Sequence, residues 1–160
     1  MFYWPVRVYW EDTDAGGIVF YANYLKFMER ARTEWLRALG VSQSTLRQTT
    51  PEQAGGMFVV TDTQLRYQQP ARLDDQLLVT ARIVEKSRIT LTIAQEIRLF
   101  PTQNIQSSLL NNEHMNPTHT SAQELARLPL VCSGQIRIAW LDASSFKPRK
   151  IPTHVLEVLQ

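Results

Sequence analysis

The chain has 160 residues, of which 44% are hydrophobic and 20% charged, and its formal net charge is +2 at pH 7. These values are typical of a single globular domain, so they exclude disordered, collagen-like and coiled-coil chains and give no support to a nucleic-acid partner. We predict one domain over residues 1–160. No signal peptide or ~20-residue apolar span is evident, and the single cysteine, Cys132, fits a reducing compartment. A cytoplasmic protein is therefore expected.

The first part of the chain predicts a strand followed by one long helix. Residues 3–10 are rich in aromatic and β-branched side chains, which favour a strand. From Asn23 to Leu39, apolar residues recur at spacings of three and four and charged residues fill the opposite face, which is typical of an amphipathic helix. Gly40 follows, where a left-handed C-cap favours glycine. A short irregular helix is expected within residues 42–53.

The rest of the chain predicts a series of strands. Apolar and polar residues alternate, with varying regularity, in residues 57–67, 77–85, 88–99 and 130–141. Short connections between them favour antiparallel hairpins, and no further long helix supports a parallel sheet. We therefore predict an α+β fold in which a curved antiparallel five-stranded sheet wraps around one long central helix. We expect the open edge strands of this sheet to pair with those of another copy of the chain, which gives at least a dimer.

Residues 101–129 interrupt this series as a polar, irregular insertion between two strands. Loops of this length are usually functional or disordered, and we assign this one no role. A helical turn is expected over residues 122–127. His114 and His119 in this segment have no cysteine partner and no ligand-like spacing, so no metal site is predicted.

The residues that can carry chemistry are concentrated between Glu11 and Tyr24. An EF-hand calcium loop starting at Asp12 fails because its fifth position is Gly16 and its twelfth position is not Glu. An aspartyl-phosphate enzyme would need a parallel sheet, which the order of elements disfavours. Two interpretations remain open: Asp12 and Asp14 form a hydrogen-bonded turn, or a carboxylate acts on a carbonyl whose oxygen faces the helix N-terminus.

A thioester would suit the second interpretation. Aspartate side chains are ionised at neutral pH without special tuning, and a thiolate leaves without much protonation. The unpaired N–H groups and partial positive charge of a helix N-terminus favour an oxyanion. One carboxylate and one oxyanion hole could therefore suffice.

The segment YWEDTDAGGIVFYANY, residues 9–24, together with FMERAR at 27–32, resembles the signature of hot-dog-fold acyl-CoA thioesterases. The resemblance is to the 4-hydroxybenzoyl-CoA thioesterase family, in particular its YbgC-like subgroup. RVY at 7–9, PARLDD at 70–75 and KPR at 147–149 agree with it, so that it covers about residues 3–100 and 130–152. It implies hydrolysis of an acyl-CoA to the free acid and coenzyme A by a dimer or tetramer. No separate cofactor is expected, because coenzyme A is part of the substrate.

The resemblance also implies roles for individual residues. Asp14 would act as nucleophile or as general base, and the backbone N–H of Tyr21 would polarise the thioester carbonyl. Many members of the subgroup have His at the position of Tyr21. We expect no proton transfer by this side chain, because a phenol is a poor base at neutral pH. Gly16 and Gly17 would allow close approach of the substrate.

Coenzyme A carries phosphates that need exposed cations, and Arg72, Lys86 and Arg88 are the predicted contacts. The expected partners are acyl-CoA, further copies of the chain and, as another candidate, acyl carrier protein. The alternative function is a non-enzymatic module on the same fold that binds acyl-CoA or acyl carrier protein. A hot-dog dehydratase is disfavoured because it needs a histidine near the helix, and residues 1–40 contain none.

Overall fold

The computed structural model describes residues 1–49, 55–100 and 122–159. The elements in chain order are β1 (Phe2–Arg7), a single-turn 3-10 helix (Trp10–Asp12), α1 (Asn23–Ala38), α2 (Gln43–Leu46), β2 (Gly56–Tyr67), β3 (Gln76–Lys86), β4 (Thr90–Phe100), α3 (Ala122–Arg127), β5 (Leu130–Asp142) and α4 (Thr153–Val158). The predicted long helix and all of the predicted strands are present.

The five strands form one antiparallel sheet in the order β1-β3-β4-β5-β2. Strands β1 and β2 are the two edges. Helix α1 packs against β1, β3 and β4. The predicted fold class, an antiparallel five-stranded sheet with one long helix on it, is confirmed.

The core lies between α1 and the face of the sheet that it covers. The helix contributes the residues that the sequence pattern assigned to its apolar face, with Tyr24, Phe27, Met28, Ala31 and Leu36 buried. Strands β4 and β5 supply Leu91, Ile93, Ile97, Ile136, Ile138 and Trp140. The helix ends as predicted: Gly40 has a φ of 77°, and the Val41 N–H donates to the carbonyl of Leu36 at 2.9 Å, which forms a Schellman cap.

Strand β2 corrects one prediction about which residues share a face. Uninterrupted alternation would put Phe58 and Val60 on the face opposite Thr63. The register shifts between Val60 and Asp62, so that Phe58 pairs with Trp140, Val60 with Ile138 and Thr63 with Ile136. Because opposite residues of an antiparallel pair share a face, the bulge brings all three β2 side chains to the helix side of the sheet. An alternation that is assumed to be continuous along the strand misses the one inserted residue.

Other boundaries differ at the ends of elements. Strand β1 ends at Arg7, and Trp10 begins the 3-10 turn instead of closing the strand. Ile89, predicted inside a strand, is exposed in the turn before β4. Helix α3 confirms the helical turn expected over residues 122–127, whereas α4 was not predicted. The remainder of the predicted insertion, residues 101–121, and residues 50–54 lie outside the described part, and the single domain stays a prediction.

Cys132 lies on the helix-facing side of β5 and is fully buried. Burial raises the pKa of its thiol to about 11. We therefore expect a thiol reagent such as DTNB to leave the native protein unlabelled at pH 8 and to label Cys132 once the chain is unfolded in guanidinium. Labelling of the native protein at the rate of the unfolded chain would contradict this packing.

Candidate active site

The motif with two aspartates forms a tight turn between the 3-10 helix and α1. The Asp14 N–H donates to the carbonyl of Ile18 at 2.9 Å, and the Gly17 N–H donates to the carbonyl of Asp14 at 3.0 Å. Gly17 has a φ of 69°, a left-handed conformation that glycine adopts without strain. The turn is anchored to the segment between β2 and β3, because Ile18 pairs with Arg72 and the Val19 N–H donates to the carbonyl of Ala71.

The carboxylate of Asp14 lies at the surface of this turn. Its Oδ1 accepts one hydrogen bond, from the Gly16 N–H at 2.7 Å, and Asp14 is exposed. Across the described ranges of the chain, no cation lies within 4.0 Å of it and no other donor contacts it. One oxygen is thus oriented by the backbone while the other is available to a substrate or to water.

Asp12 has a different environment from Asp14. It is 2% exposed, and its Oδ2 accepts a hydrogen bond from the Tyr9 N–H at 2.9 Å. Its backbone carbonyl accepts from the Phe20 N–H and from the side-chain amide of Asn23, each at 2.9 Å. Asp12 therefore fastens the start of α1 to the turn. Both carboxylates accept a backbone hydrogen bond of the turn, as the turn interpretation predicts, but Asp12 is buried whereas Asp14 is exposed.

The backbone before α1 supplies unpaired donors. Among the described residues, the N–H groups of Tyr21 and Ala22 have no acceptor. The carbonyl of Phe20, which belongs to the same peptide group as the Tyr21 N–H, accepts from the Asn23 N–H at 2.8 Å. In a trans peptide the carbonyl and the N–H point in opposite directions, so the Tyr21 N–H points away from the helix turn. It is a suitable donor to an oxyanion.

Two tyrosines hold this backbone in place, and the sequence did not indicate either of them. The Tyr67 hydroxyl donates to the carbonyl of Tyr21 at 3.1 Å, and the Ala71 N–H donates to the Tyr24 hydroxyl at 3.0 Å. Desolvation by burial raises the pKa of both phenols, which keeps the Tyr67 hydroxyl protonated as the donor at neutral pH. The end of β2 and the segment that follows it are thereby linked to the N-terminal end of α1.

Large aromatic side chains around the turn are exposed. Trp10 is 80% exposed, Tyr21 63% and Tyr9 61%. Phe20 packs against Tyr21 with ring centroids 4.6 Å apart. Clustered exposed aromatic groups are typical of a surface that a ligand or another chain covers.

The predicted cations divide between the two ends of the sheet. Arg72 pairs with Ile18 and so lies beside the Asp14 turn. Lys86 ends β3 and Arg88 follows it, so both lie at the far end of this strand, which is about 33 Å long at ~3.3 Å per residue. The Lys86 amine is also bonded to the carbonyl of Leu159. Within one chain, Arg72 alone of the three belongs to the Asp14 site.

Gly16 and Gly17, which were predicted to allow close approach of the substrate, have a structural function within the turn. The N–H groups of Gly16 and Gly17 both bond to Asp14 itself, so they shape the turn and orient the carboxylate. In the described ranges, no three His, Cys, Asp or Glu side chains are grouped as a metal ion would require. Within those same ranges, no helix combines the length and apolar character needed to cross a bilayer.

Comparisons with known proteins agree on one family. Residues 16–104 match the model of the Thioesterase superfamily. The chain is 36% identical to the acyl-CoA thioester hydrolase YbgC of Escherichia coli over 156 residues, which cover 98% of this chain and 93% of the relative. It is 46% identical to the acyl-CoA thioesterase YbgC of Haemophilus influenzae over 96 residues, which cover 60% of this chain and 68% of the relative.

A solved structure agrees with these relatives. The crystal structure of a probable thioesterase from Bartonella henselae superimposes with a TM-score of 0.71 and 26% identity, covering 94% of this chain and 98% of that one. The family model spans more than half of the chain, and the Escherichia coli relative aligns over nearly all of it. The YbgC-type proteins are thus relatives of this chain, and it shares their hot-dog fold. The chain belongs to the thioesterase superfamily.

Proposed function

We propose that this protein hydrolyses acyl-CoA thioesters, with Asp14 as the catalytic carboxylate. The observation that carries the proposal is the Asp14 carboxylate, exposed and oriented by the Gly16 N–H, in the same turn-and-helix unit as the unpaired Tyr21 N–H. The names of the YbgC relatives, which are acyl-CoA thioesterases, support the same reaction.

In the reaction, the thioester carbonyl oxygen would accept a hydrogen bond from the Tyr21 N–H. Asp14 would then take a proton from water while the water oxygen adds to the carbonyl carbon, and the tetrahedral oxyanion would collapse by breaking the C–S bond. Alternatively, a carboxylate oxygen of Asp14 would add first, expelling the coenzyme A thiolate, and water would hydrolyse the resulting anhydride. Single-turnover hydrolysis in ¹⁸O-labelled water separates the two routes, because the anhydride route can leave label in Asp14.

The function is tested by steady-state hydrolysis of a panel of acyl-CoAs with short aliphatic, long aliphatic and aromatic acyl groups. Release of the coenzyme A thiol should be detected for at least one of them. Tight binding without turnover would instead favour the non-enzymatic module, and neither binding nor turnover across the panel would refute both.

The exposed edge of β2 supports a dimer as the working unit. This strand has 12 residues and pairs with β5 along one side, while its other edge is open among the described residues. A long open edge is a template for pairing with another strand, and two identical edges can pair about a two-fold axis. The proposed dimer is a continuous sheet with the two β2 strands antiparallel at its centre.

This pairing would also bring the separated cations to the active site. Tyr67, at one end of β2, contacts Tyr21 beside the Asp14 turn. Phe58, at the other end, pairs with Trp140, whose N–H donates to the carbonyl of Ile89 in the turn that follows Arg88. Because the two β2 strands would run antiparallel, the Arg88 end of one subunit would lie at the same end of the dimer as Asp14 of the other. The proposed pairing therefore places each active site between the two subunits.

Arg88 is therefore expected to contact the phosphates of coenzyme A. Replacing it by glutamine should raise KM for acyl-CoA on the order of tenfold, because a charge-assisted bond to phosphate is lost, while kcat stays nearly unchanged. The exposed Arg137, on the outer face of β5, is the matched control, and Arg137→Gln should leave KM unchanged. Equal effects of the two substitutions would show a general charge effect instead of a phosphate contact.

A further inference from the structure

A cleft lies between the C-terminal half of α1 and the sheet, away from the Asp14 turn. Its volume is about 110 Å³. The walls are mainly apolar, and the lining includes Trp35, Leu36, Phe58, Leu91, Ile93 and Ile138. Pockets that take drug-sized ligands have volumes of ~300–1,000 Å³, so an occupant of this cleft must be small.

Arg32 lines this cleft and also the open groove beside it. Its Nη1 donates to Oε1 of Gln95 at 2.7 Å. Gln95 is 1% exposed, and its own amide nitrogen donates to the carbonyls of Met28 and Thr80 at 3.1 and 3.3 Å. The amide is thus fixed by the helix and the sheet, and it holds the guanidinium in one position.

No ion pair within the described part of the chain includes Arg32. Among the described residues, the ion pairs are Arg37–Glu34, Arg98–Glu96 and Arg149–Asp142, and none of them includes Arg32. Glu29, one turn earlier, also lines the cleft, but it is exposed and its Oε1 accepts a hydrogen bond from the Thr33 hydroxyl at 2.7 Å.

Burial lowers the pKa of the Arg32 guanidinium, with Glu29 acting in the opposite direction. The group nevertheless stays charged at neutral pH. A half-buried charge is costly unless it is paired. Among the described residues, the guanidinium bonds to the neutral Gln95 amide alone, which leaves N–H donors for an anion.

We propose that this cleft is a binding site for a small apolar carboxylate, with the carboxylate bonded to Arg32 and the apolar body between Trp35, Phe58 and Ile93. A planar guanidinium recognises a carboxylate through paired N–H donors, and the apolar walls match a short aliphatic chain. The carboxylate can come from a free acid or from the far end of an acyl group that itself carries a carboxylate.

The first arm of the test measures hexanoate against its neutral isostere hexanamide by calorimetry, using the native oligomer of the Asp14→Asn variant. Hexanoate should bind at least ~10-fold more tightly than hexanamide, as expected for a hydrogen bond to a charged group. This arm does not depend on the proposed function, because it needs no turnover. The second arm rests on that function and on the proposed β2 pairing, which would bring the cleft of one subunit, at its Arg88 end, toward Asp14 of the other. It compares kcat/KM of the wild type for adipoyl-CoA and hexanoyl-CoA, where the terminal carboxylate should be favoured.

Arg32→Gln should abolish the preference for the carboxylate in whichever arm shows it, whereas Arg37→Gln, an exposed position of the same helix outside both the cleft and the groove, should not. If Arg32→Gln does not fold, Ile83→Phe, which fills the cleft from β3 and lies outside the groove, should weaken hexanoate binding instead. A shift of the Arg32 Nε–H NMR signal during the hexanoate titration would report the contact directly. No preference for the carboxylate in either arm, or a preference that Arg32→Gln leaves intact, would overturn the proposal.

Discussion

Asp14→Asn is expected to lower kcat for acyl-CoA hydrolysis on the order of 10³-fold, with KM and the melting temperature nearly unchanged. The amide has neither the negative charge nor the basicity that either route requires. Its oxygen can still accept the Gly16 N–H, which is the contact that the Asp14 carboxylate makes in the turn. The fold should therefore survive the substitution, and thiol release under saturating substrate measures the loss.

The control is the same substitution two residues earlier. Asp12→Asn also removes a carboxylate, but the amide oxygen can still accept the Tyr9 N–H, and this side chain is buried away from a substrate. Activity should stay within about tenfold of the wild type, since no charge at the reacting carbonyl is lost. Equal losses in the two variants would mean that the turn as a whole is required and that Asp14 has no special role. Full activity of Asp14→Asn would refute its catalytic role.

The two aspartates also show how much of the candidate site could be predicted from the sequence alone. The spacing Asp12-x-Asp14 before a glycine pair leaves a structural and a catalytic interpretation open for either carboxylate, and the family resemblance alone selected Asp14. Burial distinguishes them, since Asp12 is enclosed by Tyr9, Phe20 and Asn23 while Asp14 is exposed. Burial depends on how the chain folds back on the helix start, which no local pattern contains.

Periodicity predicted the long helix and the strands because each of these elements has one continuous apolar face. It did not predict the bulge in β2. The inserted residue is of the same kind as its neighbours in the strand, and it changes only which residues pair with β5. The contact between Arg32 and Gln95 joins residues 63 positions apart. Within α1 and β4, each of these residues looks like an ordinary polar member of a periodic segment.

Thr63→Arg is expected to convert the native oligomer to monomers and to lower kcat/KM on the order of 10²-fold or more. Thr63 lies at the middle of the open β2 edge, on the helix side, where it lines a groove with Leu25, Val60 and Ile136. Leu25 and Val60 are exposed apolar side chains there, at 36% and 48%. An arginine in this surface would place a charge where the partner's helix face should pack, and burying an unpaired charge is costly.

The loss of activity would follow from the loss of the second subunit, because displacing a substrate by about 1 Å can already cost on the order of 10²-fold. The matched control is Gln64→Arg at the next position. Gln64 pairs with the exposed Gln135 on the outer face of the sheet, so the same charge on the same strand should be tolerated. Light scattering coupled to size exclusion measures the oligomer, and the acyl-CoA assay measures its activity.

A monomeric Thr63→Arg variant with full activity would show that one chain contains the whole site, and the proposed delivery of Arg88 from the partner would be wrong. An unchanged oligomer would show that the subunits meet elsewhere than along β2. If monomer formation and loss of activity occur together, and Gln64→Arg shows neither, then the open edge of β2 is the surface that completes the active site. In that case the Asp14 turn and the Arg88 contact with coenzyme A in one working site belong to different subunits, as antiparallel pairing of the two β2 strands requires.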